Sequence, residues 1–312
     1  MIIRFIVVFV ALVMGHSASA QKKVEVRPYT IATTVKKYKK DYPFIKPIEP
    51  LVSESIIAEQ DIVYKTTETS NLKLDIYRPK ISSDEICPAV LLIHGGAPGA
   101  CTFVSWRSNI DWFANNGFAV YAFDQPGFGK TDNADDFSME YRYRHTKGFI
   151  EKMGLERFHM VANSQGAYIA FKIALEDERT GRLVSTGSGT VAPKGSAESQ
   201  AQAKVHGEQL REYKPSRENI KNMTMKTLFN KELVDDDLVE TRFQMSIGKN
   251  YEAQLKRKKA APPEPIIEEL PTLKTKTLLI WGANDHGVAI ERGLLLFQLI
   301  PDAEFHLFNQ CE

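Results

Sequence analysis

From about residue 61 onward, short apolar runs alternate with stretches of helical period. Ile62-Val63-Tyr64-Lys65 and Leu72-Lys73-Leu74-Asp75-Ile76-Tyr77-Arg78-Pro79 alternate apolar with polar positions, the pattern of half-buried antiparallel strands. Ala89-Val90-Leu91-Leu92-Ile93 and Phe118-Ala119-Val120-Tyr121-Ala122-Phe123 are instead continuously apolar, the signature of strands covered on both faces. A helix is predicted from about Val104 to Asn116, closed by Gly117, and another over Ser138 to Met153. Phe158-His159-Met160-Val161 is the next strand, followed by a helical pattern through Ala167, Ile169, Ala170, Phe171, Ile173, Ala174 and Leu175. A weaker strand spans Leu183 to Thr190; Thr277 to Trp281, a helix over Val288 to Ile300 and Glu304 to Phe308 complete the series. Strand alternating with helix predicts an α/β fold, a mostly parallel twisted sheet flanked by helices, with its ligand crevice outside the strand carboxyl ends.

Residues 192–271 break that rhythm. They are polar, helical in pattern and poor in strand formers, with Asp235-Asp236-Asp237, Lys256-Arg257-Lys258-Lys259 and Pro262-Pro263-Glu264-Pro265 among them. The segment reads as a helical cap inserted over the crevice, dividing a core of residues 61–191 and 272–312; a plain surface excursion is the other reading. The charge runs are solvated faces by default.

The amino-terminal residues have a different character. Arg4 opens an apolar run from Phe5 to Met14, and Ala18-Ser19-Ala20 offers a small-residue cleavage site. Residues 1–20 therefore read as a signal peptide, with export to the periplasm or beyond expected. The run is too short for a comfortable membrane span, so no stable membrane anchor is expected. Residues 21–60, rich in lysine and proline, read as a solvated extension. With 40 Lys+Arg against 39 Asp+Glu the net charge is +1, which gives no reason to expect nucleic acid. Cys87, Cys101 and Cys311 are too few for a disulfide framework, and no His/Cys cluster has metal spacing, so neither metal nor organic cofactor is implied.

The candidate chemistry centres on Ala162-Asn163-Ser164-Gln165-Gly166-Ala167. Strand, sharp turn carrying a serine, then helix is the layout of a nucleophile elbow, and the helix N-terminus behind it favours developing negative charge. Ser164 needs a histidine to take its proton, a carboxylate to orient that histidine and amides to hold the oxyanion. Gly96, in His94-Gly95-Gly96-Ala97-Pro98-Gly99-Ala100, and Gln165 are candidates to supply the amides. Asp285, after a late strand, stands where the order Ser…Asp…His places the acid.

From roughly Asp61 to the end, the chain resembles the α/β-hydrolase superfamily, and within it the meta-cleavage-product C–C bond hydrolases. The resemblance rests on the glycine loop from His94, on Asp124-Gln125-Pro126-Gly127-Phe128-Gly129-Lys130-Thr131-Asp132, on Asn163-Ser164-Gln165-Gly166 and on Lys276-Thr277-Leu278-Leu279-Ile280-Trp281-Gly282. It implies Ser164 as nucleophile, Asp285 as triad acid and Gly96 with Gln165 as oxyanion donors. It also implies polar contacts from Asn163 and cap residue Arg242 to substrate carboxylate and oxo groups. Ser105 stands at the substrate-binding position where that family carries asparagine. The family's catalytic histidine follows a cysteine and a small residue after the last strand; Cys311 and Glu312 match the start of that pattern, so the histidine is expected immediately after Glu312.

The remaining histidines are poorer bases on sequence grounds: His94 belongs to the glycine loop, His286 adjoins the acid, His306 sits mid-strand, and His145, His159 and His206 have no motif around them. The leading expectation is an exported serine hydrolase cleaving a C–C or ester bond next to a carbonyl of a small-molecule substrate. A secreted carboxylesterase is the near rival, because ring-cleavage products normally arise in the cytoplasm. A non-catalytic binding protein with a degenerate triad is the rival from another class, and a homo-oligomer is compatible with either.

Overall fold

A computed structural model describes residues 56–66, 71–79 and 87–312; the segments read as signal peptide and most of the extension lie outside them. The first two strands, β1 (Ile56–Thr66) and β2 (Asn71–Pro79), pair antiparallel in a sheet of their own. β1 begins earlier than its alternating sequence pattern, inside the stretch read as extension.

The main sheet contains β3 (Ala89–Ile93), β4 (Ala119–Ala122), β5 (Phe158–Asn163), β6 (Thr180–Thr186), β7 (Lys276–Gly282) and β8 (Ala303–Phe308), in the order β4-β3-β5-β6-β7-β8 and parallel throughout. β3 is buried along its whole length, which is why its sequence is apolar without alternation. The chain runs outward from β3 to β4, then returns to the far side of β3 as β5. That reversal makes the carboxyl ends of β3 and β5 a topological switch point, where open α/β sheets bind ligands. The glycine loop and the serine turn both sit there.

Between β3 and β4 the single expected helix is two short ones, α1 (Thr102–Trp106) and α2 (Ile110–Asn115). The break falls at Arg107-Ser108-Asn109, where serine and asparagine offer the backbone local alternatives to helix. α3 (Met139–Lys152) starts on the Ser138 side chain, which accepts from the Tyr141 N–H, a standard N-cap. α4 (Gln165–Glu176) leaves the serine turn and is buried on nearly every side. Its Gly166 is obligatory packing: a Cβ there would stand 2.5 Å from the Ile93 carbonyl oxygen and 2.6 Å from that of His94. β6 ends at Thr186, short of its expected end, because Gly187 turns the chain at φ 45°.

The stretch between β6 and β7 carries α5 (Ala197–Glu212), α6 (Arg217–Thr227), α7 (Asp236–Gln244) and α8 (Lys249–Arg257). A small apolar cluster of Tyr213, Ile220 and Val239 holds it together. α9 (Ile290–Leu299) follows β7 and packs on the sheet through Gly293, where a Cβ would stand 2.8 Å from the Trp281 ring. Among the described residues no helix is long and apolar enough to cross a membrane.

Candidate active site

Ser164 is the residue the backbone bends hardest to present. It stands between β5 and α4 at φ 51°, ψ −117°, a region costly for any residue with a Cβ and one that persists only where surroundings enforce it. The surroundings are visible: the Ser164 N–H donates to the Thr186 carbonyl at 3.1 Å, and the Ser164 carbonyl accepts from Ala167 N–H at 3.0 Å and from Ser188 Oγ at 2.7 Å. The turn is held from β6 and from its own helix, while the serine itself remains half-exposed.

The glycine loop lies directly against this turn. A Cβ on Gly95 would sit 2.8 Å from Asn163 Oδ1 and 3.1 Å from Ser164 Cβ, and one on Gly96 would collide with the side-chain amide of Gln165. The structure thus brings Gly96, Asn163, Ser164 and Gln165 together. Asn163 turns its amide away along β6, donating to Thr186 Oγ1 at 3.0 Å.

His94 is a structural member of that loop. Its Nε2 accepts the Gln125 N–H at 3.0 Å, which leaves the proton on Nδ1 to donate to the Gly95 carbonyl at 2.7 Å. Burial pushes its pKa down to about 4, so the ring is neutral at ordinary pH, and with both nitrogens engaged by Gln125 and Gly95 it has none to offer Ser164.

Asp285 follows β7 at the same end of the sheet. Its Oδ1 accepts the N–H groups of Gly287 and Val288, both at 2.8 Å. Oδ2 takes no hydrogen bond among the described residues and lies 3.3 Å from where a Cβ on Gly187 would stand. Gly187 adjoins Ser188, which bonds Ser164, so one turn links the acid to the serine. Burial raises the Asp285 pKa against the pull of the two amides. The last residues also reach this corner: the Cys311 carbonyl accepts the Asn284 N–H at 2.9 Å, and Glu312 Oε1 lies 3.6 Å from His286 Nε2.

From the inserted helices, Arg242 on α7 donates to the Pro98 carbonyl at 3.3 Å and to Thr224 Oγ1 at 3.1 Å, while its Nε is buried without a partner. Burial lowers its pKa. A Cβ on Gly99 would collide with the Arg242 backbone, so α7 presses on the glycine loop. α8 grips the next loop, with Asn250 Nδ2 donating to the Gly129 carbonyl and Lys249 Nζ to that of Thr131, both at 2.8 Å. Ser105 lies on α1 and makes no side-chain hydrogen bond to the elbow among the described residues.

Three residues have positions here to which the sequence assigned no role. Asp124 organises the loop after β4, accepting Thr102 N–H at 2.6 Å and Lys130 N–H at 2.9 Å. His206 on α5 approaches Asp285: its Nε2 lies 3.3 Å, and Asp285 Oδ1 3.4 Å, from the same point above Gly287. Nothing in the sequence signals that approach, since about eighty residues separate the two. Arg142, buried on α3, donates to Gln125 and Gln165. Among the described residues no group of three or more metal-ligating side chains is found, and Cys101 and Cys311 are free thiols.

A parallel sheet that presents a serine on a strained strand-to-helix turn beside a glycine loop, with a carboxylate two strands over, defines an α/β-fold hydrolase. A sequence profile of the α/β hydrolase fold matches residues 88–312, and the chain belongs to that family of enzymes. It is 32% identical over 230 residues to the 2-hydroxy-6-oxononadienedioate/2-hydroxy-6-oxononatrienedioate hydrolase of Paraburkholderia phymatum, covering 71% of this chain and 79% of the relative. It is also 32% identical to the 2-hydroxy-6-oxo-6-phenylhexa-2,4-dienoate hydrolase of Burkholderia cepacia, over 72% of this chain and 80% of that one. Among solved structures, a meta-cleavage product hydrolase of Pseudomonas fluorescens IP01 superimposes with a TM-score of 0.62 at 28% identity, covering 72% and 83% of the two chains.

Proposed function

We propose that the protein is an exported serine hydrolase that cleaves the C–C bond next to a carbonyl in a small anionic oxo-dienoate. The observation that carries this reading is the strained Ser164 turn packed against the Gly95-Gly96 loop. Ser164 Oγ attacks the carbonyl carbon, and the resulting oxyanion is met by the N–H groups of Gly96 and Gln165. Donors fixed in advance lower the barrier because nothing must reorient as charge develops. Arg242, desolvated and with one donor unpaired, takes the substrate's carboxylate.

The general base in this reading is a histidine that meets Asp285 from the side of Oδ2. Two observations support it: Asp285 Oδ2 is open on the side of the elbow, and Cys311 and Glu312 lie against the turn that carries Asp285. His206 approaches from the Oδ1 side, already occupied by two amides. Export rests on the sequence pattern of residues 1–20. A carboxylesterase is the second reading, favoured by Ser105 in place of asparagine and by the export pattern.

The test is to assay the product of the complete reading frame on a chromogenic 2-hydroxy-6-oxo-dienoate and on p-nitrophenyl esters, with His206→Ala alongside. Dienoate turnover, with His206→Ala within about tenfold of wild type, is the expected result. Ester turnover without dienoate turnover would replace the C–C reading by the esterase. A collapse of activity in His206→Ala would move the base to the inserted helices.

A further inference from the structure

Arg142 sits on α3 beneath the site and is only 2% exposed. A desolvated guanidinium is costly unless a carboxylate compensates it, yet among the described residues no ion pair joins it to one. Its hydrogen bonds go to neutral amide oxygens instead: Nε to Gln125 Oε1 and Nη1 to Gln165 Oε1, both at 2.8 Å, while Nη2 is buried with no partner. The plane lies 4.9 Å from the centre of the Phe128 ring, and on the ring's other contact Arg257 adds a second cation at 3.7 Å. Burial and Arg257 push the Arg142 pKa down to about 9, which leaves it charged at neutral pH.

Both branches of this fork lead, through a glutamine side chain, to residues that flank the proposed oxyanion donors. Through the first, Gln125 Oε1 is held by Arg142, so Gln125 Nε2 is free to donate to the His94 carbonyl at 2.6 Å while its backbone N–H meets His94 Nε2. His94 in turn fixes Gly95. Through the second, Gln165 is held with its amide filling the space beneath Gly96 that a Cβ would occupy. One side chain thus sets the glycine loop and the elbow in register with each other.

Resting on the serine-hydrolase reading above, we propose that Arg142 is the positioning residue of the oxyanion site: its fork fixes Gly96 relative to Gln165, and its uncompensated charge favours the oxyanion that develops in the transition state over the neutral carbonyl it replaces. Substrate binding need not feel either effect, whereas the tetrahedral anion must.

Arg142→Met and Arg142→Lys, made in the product of the complete reading frame, test this with kcat, KM and the affinity of an alkyl boronic acid, which forms a tetrahedral anion on a serine. Arg142→Met is expected to lower kcat about 10- to 100-fold with KM within about threefold, and to weaken boronate binding by a similar factor. Arg142→Lys keeps the charge but loses the fork, and is expected to lose at least about fivefold in both. Wild-type kcat and boronate affinity in Arg142→Met, or a loss confined to KM, would overturn the proposal. Should Arg142→Met fail to unfold cooperatively, wild-type behaviour of Arg142→Lys would overturn it equally. Failure of the underlying serine reading shows itself separately, as activity retained in Ser164→Ala whatever the Arg142 variants do.

Discussion

At the scale of single residues the site is held by positions where one added carbon does measurable harm. A methyl on Gly96 would meet the Gln165 amide, itself pinned by Arg142. The collision is with a side-chain end and not with backbone, so Gly96→Ala is expected to fold and to lose kcat. The loss is about 10²-fold, the scale of one displaced oxyanion donor, and steady-state kinetics beside a thermal melt separates the two effects. Gly129 is a different case. It sits at φ 50°, and a Cβ would collide with the Asp124 carboxylate, which is held on both oxygens by backbone amides. Backbone strain and a clash with a fixed group coincide, so Gly129→Ala is expected to destabilise by at least about 2 kcal/mol, read from urea unfolding.

At the scale of elements, α8 and α5 fasten the inserted helices to the loops that frame the serine. Asn250 bridges α8 to Gly129, and Gln202 on α5 donates to the Asp285 carbonyl at 2.8 Å. Ser196 and Ser199 bond Glu291 at the start of α9. Asn250→Ala removes one buried donor and leaves the Gly129 carbonyl unmet, a cost of about 1–3 kcal/mol. Faster amide exchange confined to α8 and the loop 127–131 is the expected result. Exchange spread over the whole sheet would show that the contact supports global rather than local stability.

The elements also show which parts of the molecule sequence could reveal. Ala89 to Ile93 and Phe118 to Phe123 were legible because a strand covered on both faces leaves no polar position to confuse the period. The elbow was legible because strand, serine and helix are consecutive. The split between α1 and α2 was not, since the apolar spacing across Ser108-Asn109 continues while the backbone breaks. Arg142 was invisible for a different reason: an arginine in a helical pattern reads as solvent-facing, and only the packing of α3 under Gln125 and Gln165 buries it. His206 near Asp285 depends on a contact across the whole insertion, which local periodicity does not encode.

At the scale of the whole molecule, the buried neutral His94 couples stability to pH. Its folded pKa is about 4 against an ordinary 6.5, so between those values the unfolded chain binds more protons than the folded one. The contribution is full above about pH 6.5 and is lost as pH falls toward 4, a total of about 3 kcal/mol. Urea unfolding across pH 7.5 to 4.5 is expected to show that decline, and His94→Asn a flatter curve. Because His94 positions Gly95, the same protonation is expected to remove activity before the sheet unfolds.

The central claim is that the strained turn between β5 and α4 exists to make Ser164 a nucleophile. The most direct measurement is kcat for Ser164→Ala in the product of the complete reading frame, on whichever substrate wild type turns over. The account predicts a loss of at least about 10⁴-fold with an unchanged unfolding transition. Activity within tenfold of wild type in a folded Ser164→Ala protein would contradict it.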